Sequence, residues 1–134
     1  MEKSKKIPGT DILVLEEFIA SSDDDMEIHA SVAAGFDTRK SLVVRLKYTD
    51  YDFRKNSYTQ SAVIDEEEAW LLSKTLGTRL TNIPKLLSEK FGDQTSTQLL
   101  PSDVEDIFKD ILDFIIDSGG HYKIKRIRHT NAAP

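Results

Sequence analysis

Within residues 45–58, four basic side chains, Arg45, Lys47, Arg54 and Lys55, are interleaved with four aromatic ones, Tyr48, Tyr51, Phe53 and Tyr58. Together these residue types suit one kind of chemistry. Cations neutralise phosphates, and aromatic faces stack unpaired bases at ~1–3 kcal/mol per base. A second basic run, Lys123, Lys125, Arg126 and Arg128, lies in residues 121–129, which hold no acid. The candidate single-strand contacts are therefore Arg45, Lys47, Tyr51, Arg54, Lys55, Tyr58, Lys123 and Lys125. The competing reading is a plain solvated strand surface, since strands favour Tyr and Phe anyway and exposed Lys or Arg guards sheet edges.

Other chemistry has little support. His29, His121 and His129 lack the paired spacing of a zinc helix, and there is no glycine-rich phosphate loop and no GxSxG elbow. Asp23, Asp25 and Glu27 alternate like the start of a calcium loop, but the glycine and closing Glu that such a loop needs are out of place. Asp50 and Asp52 flank a hairpin tip, where two nearby acids are common. No catalytic residue, metal or cofactor is expected, and the chain reads as a binding protein rather than an enzyme. Without cysteine there is neither a disulfide nor a thiolate nucleophile. That composition fits a reducing, cytoplasmic setting, and no apolar run is long enough for a membrane span.

The net charge of −5 conceals a partition. Residues 39–55 carry six bases against two acids, whereas residues 65–117 carry twelve acids against five bases, a balance of −7. Asp106, Asp110, Asp113 and Asp117 recur at helical spacing and form either a solvated face or a docking surface for a basic partner.

The elements that position these residues follow from periodicity. Residues 12–19 read as a strand on their β-branched content. Met26, Ile28, Ala30, Val32 and Ala34 alternate with Glu27, His29 and Ser31, and Leu42, Val44, Leu46 and Tyr48 with Val43, Arg45 and Lys47. A turn is expected at Gly35–Thr38 and a hairpin loop at 52–56, followed by Tyr58, Gln60, Ala62 and Ile64 on one face. Asp65 and Glu68 open a helix that Gly77 closes. A second helix starts near Asn82 and stops at Gly92. A third begins with the capping-box pattern of Ser102 and Glu105 and buries Val104, Ile107, Phe108, Ile111, Leu112 and Ile115. Tyr122 to His129 is a final strand. The predicted class is α+β, an antiparallel meander with helices on one face in the order β-β-β-β-α-α-α-β. Residues 1–9 are expected to be a flexible segment, 10–129 a single domain and 130–134 a disordered tail.

A meander leading directly into a helix through Ile64-Asp65-Glu66-Glu67-Glu68-Ala69-Trp70 resembles the PC4-like single-strand-binding domains over residues 26–77. The resemblance implies a dimer that holds single-stranded DNA or RNA on its sheet. It rests on element order. Ser57-Tyr58-Thr59-Gln60-Ser61-Ala62 stands where that family usually carries a glycine- and lysine-rich segment, so no binding residue is carried over. The expected function is single-stranded nucleic-acid binding through the basic and aromatic sheet surface. The alternative is a protein–protein interaction or regulatory module, homodimeric and without a nucleic-acid role.

Overall fold

Alternating apolar residues need a partner layer for only one side of a strand, and here that layer is helical. The computed structural model describes residues 12–23, 27–92 and 99–128. Strands β1 (Val14–Ser21), β2 (Ile28–Phe36), β3 (Leu42–Asp50), β4 (Tyr58–Ile64) and β5 (Lys123–Arg128) form one antiparallel sheet in the order β1-β2-β3-β4-β5. Helices α1 (Glu66–Leu76), α2 (Ile83–Phe91) and α3 (Pro101–Asp117) separate β4 from β5 in the chain. The element order and α+β class are those expected. No helix among the described residues is long and apolar enough to cross a membrane. The segments 1–9 and 130–134, Asp24 to Met26 and His129 lie outside the described residues.

Local chemistry accounts for the element ends. The Asp65 carboxylate accepts the Glu68 N–H at 2.9 Å, and Gly77 closes α1 with φ 69°. The N-cap of α3, Leu100, lies two residues before the expected Ser102. The Asp103 carboxylate reaches back to accept the Leu100 N–H at 2.8 Å, and Pro101 occupies the first helical position. Ser102 is thus inside the helix and caps nothing.

The β2–β3 turn also falls later than expected. Gly35 pairs with Val43 inside the ladder, and a Cβ there would meet Leu13 Cβ and the Val14 carbonyl oxygen, each at 2.9 Å. Its role is to admit β1 closely, not to turn the chain. The turn is made by Asp37, whose Oδ1 accepts the N–H groups of Arg39 at 2.9 Å and Ser41 at 3.0 Å.

The core lies between sheet and helices. Val32, Leu42, Val44 and Ile64 meet Ile83, Leu87, Val104, Phe108, Ile111 and Ile115, all essentially buried. Asp106, Asp110, Asp113 and Asp117 are all exposed on the far side of α3. Ile111→Ala therefore costs about 2–5 kcal/mol in denaturant melts, from lost burial plus the cavity left behind. Asp110→Ala stays within about 0.5 kcal/mol of the parent; equal effects would contradict this rotation of α3.

Candidate nucleic-acid interface

Cross-strand partners point to the same face of an antiparallel pair, so the register gives the face of each candidate. Opposite the helices, three rows cross the sheet. They run Ser31–Lys47–Thr59–Ile127, Ala33–Arg45–Ser61–Lys125 and Gly35–Val43–Val63–Lys123. Arg45, Lys47, Lys123 and Lys125 thus share the face that the helices leave open, where Ala33, Val43, Thr59 and Ser61 are nonetheless buried and the long side chains make the surface. Arg45 is partly buried and its Nε donates to Ser61 Oγ at 3.2 Å, which fixes the guanidinium over the centre of the sheet. The three lysines are exposed.

Tyr51, Arg54 and Lys55 are exposed in the β3–β4 connection, beyond the end of these rows. That loop is organised by buried Asp50. Its Oδ1 accepts the N–H groups of Asp52 at 3.1 Å and Phe53 at 2.9 Å, and its Oδ2 accepts from Asn56 Nδ2 at 3.4 Å. Ser57 Oγ accepts the Asp50 N–H at 2.8 Å. The carboxylate thus acts as the scaffold of the loop, holding Tyr51 and Phe53 out toward solvent.

Tyr58 does not belong to the open face. It pairs with Tyr48, and both face the helices with Ala62 and Ile64. The Tyr48 ring stacks on it at 4.9 Å from β3, and Arg126 Cζ lies 4.0 Å from its centroid from β5. Strands on either side of β4 therefore take both ring faces, and Tyr58 offers no base a platform. Its hydroxyl donates to Glu105 Oε2 at 2.7 Å, joining β4 to α3.

One aromatic on the open face carries no signal in the sequence pattern. Phe18 pairs with Ala33, a member of the central open-face row, and is 70% exposed. Register shifts on both sides of it break the alternation that reveals a strand's two faces.

At the Lys123 end, the face runs into a groove of about 720 Å³ whose lining includes Arg39, Asp65, Glu66, Glu67, Lys123 and Lys125. Nearby, His121 Nδ1 lies 3.4 Å from Glu68 Oε1. The acids at the start of α1 weaken the field of Lys123 more than that of Lys47. No group of three or more His, Asp or Glu among the described residues is placed to hold a metal ion. Comparison with protein-family models, with curated proteins and with solved structures gives no match.

The Tyr58 contact has a measurable consequence. Burial first, then the hydrogen bond to Glu105 and its negative charge, push the phenol well above its ordinary value of 10.0, with Arg126 opposing. Burial likewise raises Tyr48, with Glu105 and Asp50 adding to it. Because the folded state holds the proton more tightly, the stabilisation is complete below about pH 10 and is lost as pH rises through the raised value. Tyr58→Phe should cost about 0.5–1.5 kcal/mol at neutral pH. It should also flatten the alkaline limb of the stability curve, leaving the smaller slope due to Tyr48; an unchanged limb in melts from pH 8 to 11 would contradict the assignment.

Proposed function

We propose that this protein binds single-stranded nucleic acid on the face of its sheet opposite the helices. The observation that carries the reading is the register, which gathers Arg45, Lys47, Lys123 and Lys125 on one side although they are separated by up to 80 residues of chain. Lys47, Lys123 and Lys125 act as point charges for phosphates, and Arg45, held by Ser61, adds its fixed positive charge between them. Tyr51 and Phe53 add exposed rings at the loop, where Arg54 and Lys55 supply further cations. The acidic stripe of α3 lies on the other side of the molecule, so its field repels a polyanion from the helical layer and favours approach to the open face. The likeness to PC4-like domains adds only an order of elements; the side-chain chemistry supports the reading by itself.

Affinity for a labelled oligonucleotide should fall as salt rises, with a log–log slope of roughly −0.7 per phosphate neutralised. Lys47→Ala should flatten that slope by about one such increment, whereas Tyr51→Ala should weaken binding and leave the slope intact. Absence of binding at low salt, where the attraction is strongest, would end this reading.

A second reading, a homodimeric interaction module, is favoured by one observation. Ile12, Val14 and Leu15 stand exposed at the β1 edge, while four cations occupy the β5 edge. Apolar edges invite pairing and charged ones resist it. Light scattering decides the matter: the mass of two chains without oligonucleotide binding supports this module, and the mass of one chain at high concentration removes it.

A further inference from the structure

Strand β1 is irregular in a way that puts two successive side chains, Ile19 and Ala20, on the helical side. Ala20 pairs with Val32 and Phe18 with Ala33, so Ile19 is an extra residue between two registered pairs. Ile19 is buried in the core and Ala20 packs against it. Phe18 is left on the open side, 70% exposed. Its carbonyl accepts a hydrogen bond from Ser88 Oγ of α2 at 3.2 Å, which holds the bulge against the helical layer and leaves the ring outside. The ring therefore offers an exposed face for stacking.

The row containing Phe18 runs Phe18–Ala33–Arg45–Ser61–Lys125 across all five strands. With strands ~4.8 Å apart, Phe18 lies roughly 10 Å from Arg45 and roughly 19 Å from Lys125, measured between backbones. Ala33 is the only residue between the ring and Arg45 in that row, and it is too small to screen one from the other. Glu17 pairs with Ala34 and so points to the helical side, away from this path.

We propose that Phe18 is the base-stacking platform of the open face, and that a single strand crosses the sheet from β5 to β1. Its phosphates lie over Lys125 and Arg45, and one unpaired base rests on the Phe18 ring. This rests on the nucleic-acid reading above and adds the residue that distinguishes single strands from duplex, whose bases are already stacked on one another.

The test compares the parent chain, Phe18→Ala and Phe18→Tyr on two single strands of equal length, one ordinary and one of base-free deoxyribose phosphate. Phe18→Ala should weaken binding of the ordinary strand about 5- to 150-fold, the range for one stacked base, with the salt slope unchanged. Phe18→Tyr should restore most of that loss. On the base-free strand, the parent and Phe18→Ala should bind alike. Equal losses on both strands would overturn the proposal, since the ring would then be supporting the face rather than holding a base. Parental affinity in Phe18→Ala alongside weakened binding in Lys47→Ala would remove the platform and leave the charged face standing. A parent that binds neither strand ends both readings. A fall in scattering mass on Phe18→Ala, with oligonucleotide affinity unchanged, would place the ring in a contact between copies and overturn the assignment.

Discussion

Everything in this molecule depends on burying one side of a meander against helices and keeping the long cationic side chains on the other. Leu42, Val44 and Leu46 must face α2 and α3 to be removed from water, and the extended backbone then places Val43, Arg45 and Lys47 on the opposite side. A shift of one residue in the β3 register would expose the leucines and drive two cations into the core. The chemistry of the open face is thus a consequence of core packing, and its cations hold their positions because the apolar residues between them cannot leave theirs.

That constraint explains why much of the fold was legible in the sequence. The ladder register through β2, β3 and β4 is unbroken, and the caps at Asp65 and Gly77 stand where side-chain chemistry requires them. The open face was only half legible. Counting bases and aromatics along 45–58 mixes the two sides of the sheet, so Tyr58 joined the candidates although its own alternation with Ala62 and Ile64 puts it under the helices. Phe18 was missed for the opposite reason, because a bulge removes the period that would have announced its face. Gly35 looked like a turn residue when its lack of a side chain serves the close approach of β1.

The charge partition takes on a spatial meaning once the strands are paired. Acids on α3 and at the start of α1 bound a surface whose cations come from β3 and β5, so a chain of net charge −5 still presents a locally basic field. Asp65, Glu66 and Glu67 next to Lys123 mark where that field ends. Under the proposed function a polyanion approaches the Lys47 and Lys125 side of the sheet, and salt should affect its capture more strongly than the fold itself, whose core is apolar.

Under the proposed function, ligand phosphates meet the open face and not the helical layer. Amine-reactive labelling read by mass spectrometry, with and without a single-stranded oligonucleotide at low salt, tests it most directly. All of the lysines compared are exposed in the protein alone. The oligonucleotide should shield Lys47, Lys123 and Lys125 while Lys74, Lys85, Lys90 and Lys109 of the helices react as before. Shielding of the helical lysines, or equal shielding of all seven, would contradict it.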